Sequence, residues 1–132
     1  MANDSILIVD DNEANLKLIR GLLAGVGYEV RAALDAEEAL AVLRTFRPRL
    51  ILMDVQLPGM DGLELTRRLK ADRATNGIIV IALTAYAMHG DEEKALAAGC
   101  DGYVTKPIDT RTLPATVAEY LRRALPLGET RA

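Results

Sequence analysis

Five short apolar runs punctuate the chain: Ile6-Leu7-Ile8-Val9, Tyr28-Glu29-Val30-Arg31-Ala32, Leu50-Ile51-Leu52-Met53, Ile78 to Leu83, and Tyr103-Val104. The first, third and fourth do not alternate and are rich in Ile, Leu and Val, the pattern of strands covered by helices on both faces. The second sets Tyr28, Val30 and Ala32 against Glu29 and Arg31, which predicts an edge strand with one wetter face. Helical stripes lie between the runs. Leu16, Ile19, Leu23 and Val26 make one, stopped by Gly27. Ala36, Ala39, Leu40, Leu43 and Phe46 make a second, ended by Pro48. Asp61 followed by Glu64 is a capping signature for a third, whose buried face is Leu65 and Leu69. A short alanine-rich helix is predicted from about Asp91 to Ala98, with Gly99 as its stop. The last stripe is Leu113, Val117, Tyr120, Leu121 and Ala124. Its start stays open: Pro114 is tolerated only in a first turn, so the helix begins near Thr112 or is broken.

The order is strand then helix, five times over. Such alternation predicts a parallel sheet with right-handed crossovers and helices on both faces. Five units are too few for an eight-stranded barrel. The expected fold class is therefore α/β, an open doubly wound five-stranded parallel sheet in the order 2-1-3-4-5. No internal repeat or linker interrupts it. Residues 1–125 read as one domain and 126–132 as a polar tail.

Composition narrows the function. The 132 residues carry 16 basic and 19 acidic side chains, a net charge of −3, with no basic face that would make nucleic acid the main partner. Cys100 is the only cysteine, which excludes an internal disulfide and a multi-cysteine metal site. The longest apolar run falls far short of the ~20 residues that span a bilayer. No leader signature opens the chain, so a cytoplasmic protein without membrane attachment is expected.

In a parallel sheet the residues just after each strand share one edge, where ligands bind. Asp10 and Asp11 follow the first strand, Asp54 the third, Thr84 the fourth and Lys106 the fifth. Strands one and three are neighbours in the predicted order, so three carboxylates converge. They cannot all stay ionised without help. A hard divalent cation is the simplest neutraliser, and Mg²⁺ takes a few carboxylate oxygens plus waters. Lys106 adds a compact positive charge and Thr84 a hydroxyl donor. A cation, an ammonium and a hydroxyl around a carboxylate can stabilise a transferring phosphoryl group. Asp54 is the natural nucleophile, because carboxylates form acyl phosphates. Any one of these residues is as readily a loop residue; Asp10 or Asp11 can simply cap the first helix. The coincidence of all five at one edge carries the reading.

The stretches Ile8-Val9-Asp10-Asp11-Asn12, Leu52-Met53-Asp54-Val55-Gln56-Leu57-Pro58-Gly59-Met60-Asp61-Gly62, Leu83-Thr84-Ala85 and Gly102-Tyr103-Val104-Thr105-Lys106-Pro107 resemble the receiver domain of two-component response regulators. The resemblance runs from Ser5 to about Ala124. The segment Thr84-Ala85-Tyr86-Ala87-Met88, with Gly90-Asp91-Glu92-Glu93, is most like the stand-alone cell-division-type receivers and the receiver modules of hybrid kinases. The resemblance implies that Asp54 accepts a phosphoryl group from a phosphohistidine on a histidine kinase or histidine phosphotransfer protein. It implies Mg²⁺ (or Mn²⁺) bound by Asp11, Asp54 and the Gln56 backbone carbonyl, with Asp10 acting through a metal-bound water. Thr84, Lys106 and the Ala85 backbone would contact the phosphate. Thr84 and Tyr103 would form the switch, Lys106-Pro107 a cis peptide, and Gln56 and Tyr86 would tune hydrolysis. A downstream protein would dock on the face of the fourth helix, fifth strand and fifth helix. Such a protein is a phosphorylation-switched signalling module that catalyses only its own phosphorylation and dephosphorylation.

Three other readings compete. An aspartate-nucleophile phosphohydrolase commonly wants a second aspartate where this chain has Gln56, and a cap domain. A flavin-binding module on the same fold needs small donor residues after the first strand, where Asp10-Asp11 would repel the flavin phosphate. A degenerate receiver serving only as a scaffold would not need the full acidic set. His89 is expected at the start of the fourth helix facing solvent, Cys100 as a small buried hydrophobe, and Met53 and Met60 as packing residues.

Overall fold

The computed structural model describes residues 4–84 and 90–123. The elements run β1 (Ser5–Val9), α1 (Glu13–Val26), β2 (Glu29–Ala33), α2 (Ala36–Leu43), β3 (Leu50–Asp54), α3 (Gly62–Ala71), β4 (Ile79–Thr84), α4 (Asp91–Ala98), β5 (Gly102–Thr105) and α5 (Leu113–Arg123). The sheet order is β2-β1-β3-β4-β5 and every pairing is parallel. The order and class are those that the strand–helix alternation predicts.

The uninterrupted apolar runs deal their residues alternately to two cores, as strand geometry requires. Leu7, Val9, Ile51, Met53, Val80 and Ala82 face Ala36, Ala39 and Leu43 of α2, Leu65 and Leu69 of α3, and Ala95 of α4. Ile6, Ile8, Leu50, Leu52, Ile81 and Leu83 face Leu16, Ile19 and Leu23 of α1 and Leu113, Val117 and Leu121 of α5. β2 is an edge strand, with Glu29 and Arg31 exposed.

Several boundaries differ from the predicted ones. β2 and β4 each sit one residue later, and Asp54 and Thr84 are the last residues of β3 and β4 rather than the first beyond them. The ladder holds both: Asp54 lies opposite Leu83, and Thr84 opposite Thr105. Neither Asp10 nor Asp11 caps α1. Asn12 does, its side chain accepting from the Asn15 N–H at 3.1 Å, which leaves both carboxylates for the site. Val26 is half exposed although it lies on the apolar stripe; α1 is leaving the sheet as Gly27 turns left-handed at φ 114°. α2 stops at Leu43, short of Phe46. Arg47 precedes Pro48, which disfavours the α conformation there, and the chain tightens into a turn in which Arg44 and Thr45 N–H groups donate to the Ala41 and Val42 carbonyls. Phe46 still reaches the core, from that turn.

Asp61 caps α3, accepting from the Glu64 N–H at 2.8 Å. Glu64 itself turns outward to Arg67 and Arg68 instead of closing the box. α5 begins at Leu113, so Pro114 is its second residue and sits where no intrahelical N–H is required. Cys100 is buried and its thiol donates to Thr66 Oγ1 at 3.9 Å; Met53 is buried and Met60 packs against the same core. The expectations on Ala85, Tyr86, His89, Ala124 and the 126–132 tail lie outside the described residues.

Candidate functional site

The carboxyl ends of β1, β3, β4 and β5 bring Asp10, Asp11, Asp54, Thr84 and Lys106 to one edge. Asp10 leaves β1 with its N–H bonded to the Ala33 carbonyl at 3.1 Å, so it stays in line with the sheet and fully buried. Asp11, one residue on, is exposed. Asp54 is held at the end of β3 by the sheet itself and is 4% exposed. One oxygen from each of the three carboxylates lies within 4.8 Å of the others. Oxygen-only donors at that spacing suit a hard divalent cation.

Lys106 enters from the end of β5, its backbone N–H bonded to the Thr84 carbonyl at 2.7 Å. Its Nζ lies 3.1 Å from Asp54 Oδ2 and 3.4 Å from Asp10 Oδ2, so one ammonium bridges two buried carboxylates. The Lys106-Pro107 peptide bond is cis. Asp54 Oδ1 accepts the Gln56 N–H at 3.0 Å, while the Gln56 side chain is exposed. Burial pushes the Asp54 carboxyl up. The Gln56 N–H and Lys106 pull it back, the Asp10 charge adds to the rise, and the balance stands above the ordinary aspartate value. For Lys106 burial acts first, against the ammonium, but the hydrogen bond and charge of Asp54, reinforced by Asp10, outweigh it and hold the pKa above the usual lysine value. Among the described residues, two buried carboxylates thus share one ammonium with the exposed Asp11 beside them, an excess of negative charge.

Thr84 is buried, and its Oγ1 has no hydrogen-bond partner among the described residues. A buried hydroxyl without a partner is costly. It lies one residue beyond the ladder partner of Asp54. Tyr103, on edge strand β5, is 38% exposed, and Leu96 of neighbouring α4 is half exposed. The geometry therefore brings Lys106 into contact with Asp10 and Asp54, places Asp11 in the same carboxylate cluster, sets Thr84 at the adjoining strand end, and leaves Tyr103 at the outer edge. Ala85 and Tyr86 lie outside the described residues.

Two further residues belong to this site. Asn15 Nδ2 approaches Asp10 Oδ2 at 3.5 Å, and the signal for it was its place three residues after the N-cap, from which a side chain reaches back over the first turn. Gly62 opens α3 directly against Asp54: a Cβ there would stand 2.0 Å from the Asp54 carbonyl oxygen. The Gly62 N–H donates to the Val55 carbonyl at 3.0 Å, tying the loop across the base of the aspartate.

Residues 6–118 match the model of the response regulator receiver domain. The chain belongs to that family. This receiver is 48% identical over 117 residues to the polar-differentiation response regulator DivK of Brucella anthropi, an alignment that covers 89% of the chain and 95% of the relative. The match agrees with the resemblance to stand-alone cell-division-type receivers. Among solved structures it resembles a putative response regulator from Chloroflexus aurantiacus, at 33% identity and TM-score 0.86, covering 92% of this chain and 99% of that one. It also resembles the receiver domain of a sensor histidine kinase from Pseudomonas aeruginosa, solved with a magnesium ion coordinated in its active-site cleft, at 35% identity and TM-score 0.79, covering 92% and 97%. The receiver is thus a signalling protein of a two-component phosphorelay, with kinases or phosphotransfer proteins as its class of partner. None of its described helices is long and apolar enough to cross a membrane.

Proposed function

We propose that Asp54 is the phosphoacceptor and that the acidic edge binds Mg²⁺. The observation that carries this is the Lys106 ammonium standing between Asp54 and Asp10 with the Asp11 carboxylate in the same cluster. The donor set fits the metal: Asp11, Asp54 and the Gln56 backbone carbonyl would hold it, with Asp10 acting through a water, and Mn²⁺ would serve in its place. Bound there, the ion offsets the negative charge that repels an incoming phosphoryl group.

A carboxylate oxygen of Asp54 attacks phosphorus while the P–N bond to the donor's imidazole breaks, the electron pair staying on that nitrogen. The acyl phosphate brings roughly two negative charges and three acceptor oxygens. Lys106 then moves from carboxylate to phosphoryl oxygen, and the Ala85 N–H and the Thr84 hydroxyl donate to it. Thr84, whose hydroxyl has no partner among the described residues, gains one in this state, and that difference in contact energy biases the conformation. Its inward movement leaves room for Tyr103, and the face of α4, β5 and α5 changes shape for a downstream protein. Gln56 and Tyr86 set the lifetime of the acyl phosphate. The only reactions catalysed are the protein's own phosphorylation and dephosphorylation.

The test is intact mass after incubation with Mg²⁺ and a small acyl phosphate. One added phosphoryl group is expected, absent in EDTA and absent in Asp54→Asn. An unmodified wild type, or uptake that persists in Asp54→Asn, refutes the assignment.

A further inference from the structure

The Asp10 carboxylate is fully buried, and its two oxygens are served differently. Oδ1 accepts the Asn12 N–H at 2.9 Å, an ordinary hydrogen bond. Oδ2 is shared: Lys106 Nζ lies at 3.4 Å and Asn15 Nδ2 at 3.5 Å. Both contacts are long against the usual 2.7–3.2 Å. Lys106 is divided between this oxygen and Asp54, to which it is closer at 3.1 Å.

On the functional reading above, Lys106 must turn toward the phosphoryl group once Asp54 is modified. Asp10 Oδ2 then loses its direct ion-pair partner while remaining buried, since the proposed Mg²⁺ would reach Asp10 only through a water, and removing one partner of a buried ion pair is the expensive way to break it. Among the described residues, Asn15 is the other donor at that oxygen. Its own place is secure, since it lies in the first turn of α1 with its N–H bonded to the Asn12 side chain at 3.1 Å.

We propose that Asn15 is a positioning residue that takes over Asp10 Oδ2 as Lys106 passes from Asp10 to the phosphoryl group. It acts through Asp10 and touches no reacting atom. A carboxamide suits the task. It donates without adding charge, whereas a lysine there would neutralise the acidic cluster and an aspartate would enlarge it. Leucine has nearly the same shape and no donor.

The experiment compares wild type, Asn15→Leu, Asp10→Asn and the double variant. Phosphorylation by a small acyl phosphate with Mg²⁺ is expected to slow about tenfold in Asn15→Leu, the fold-change of one charge-assisted hydrogen bond. No further slowing is expected when Asn15→Leu is added to Asp10→Asn, because the two act as one unit. In EDTA, the side-chain carboxyl ¹³C resonance of Asp10 should move in Asn15→Leu while that of Asp11 stays. Additive losses, an unchanged rate, or an unmoved Asp10 resonance overturns the proposal. A wild type that takes up no phosphoryl group overturns the functional reading instead, and the metal-free Asp10 signal still decides whether Asn15 holds that carboxylate.

Discussion

Replacing Lys106 with methionine leaves two buried carboxylates without their shared cation. At an effective dielectric near 20, each contact of 3.1 and 3.4 Å represents about 5 kcal/mol of gross Coulomb attraction. Most of that is offset by the cost of burying the ammonium. What the variant shows is the penalty of stranding the anions, about 3–5 kcal/mol for a fully buried pair. Lys106 is 22% exposed, so water screens part of it, and a loss of about 2–3 kcal/mol at neutral pH is expected. That is a large share of a domain's ~5–15 kcal/mol. Urea denaturation in EDTA, followed by circular dichroism, measures it. The pH dependence has a definite sign. Asp54 already sits above its ordinary value, and without Lys106 it rises further. The loss is therefore full at neutral pH and shrinks in acid as Asp54 takes up its proton. At the alkaline end the Lys106 pKa is raised, so the wild-type advantage holds from neutral pH up to the ordinary lysine value and disappears as pH climbs through the raised one. Mg²⁺ should stabilise the variant more than the wild type, since no ammonium competes for the carboxylates. A loss under about 0.5 kcal/mol, the noise of a neutral surface substitution, or a loss that is the same at acid pH, would refute the reasoning.

Gly62→Ala should lower stability by about 2 kcal/mol, against the ~1 kcal/mol that alanine ordinarily gains over glycine in a helix, because the new methyl meets the Asp54 carbonyl; urea melts decide, and a stabilised variant sinks the argument. Thr84→Val should hold or raise stability by about 1 kcal/mol, since it removes a buried hydroxyl that has no partner among the described residues, while abolishing the response of Tyr103 resonances to phosphorylation. A destabilised Thr84→Val, or one that still switches, contradicts both halves. At the opposite end of the sheet, Lys70 Nζ donates to the Ile78 carbonyl at 2.7 Å and pairs with Asp101 at 3.0 Å, and Asp101 also accepts the Val80 N–H at 2.8 Å. Lys70→Met should cost about 1 kcal/mol in a thermal melt, the pair being partly solvated, and leave the initial phosphorylation rate unchanged. A slowed rate would show that this anchor reaches the acidic edge.

Period and composition alone determined the class of this molecule. Uninterrupted Ile-Leu-Val runs separated by 3.6-period stripes allow few arrangements, and a parallel sheet then forces the residues at strand ends to one edge. That is why Asp10, Asp54, Thr84 and Lys106 were legible as a group before any coordinate was known. Tertiary structure decided everything that depends on distance across strands. No spacing in the chain says that Lys106 bridges Asp10 and Asp54, or that Asn12 caps α1 and leaves the aspartates free. Asn15 carried a faint local signal, its place in the first turn. Gly62 closes a stretch that resembles the receiver family, but no local spacing says why it must be glycine, for its lack of a Cβ matters only once the Asp54 carbonyl is brought against it. Val26 shows the converse: its place on the stripe is right, but it is the last residue of α1 before left-handed Gly27 and stays half exposed. Local pattern selects elements and faces, whereas contacts between carboxylates, an ammonium and a bare glycine backbone exist only after non-local strands have paired.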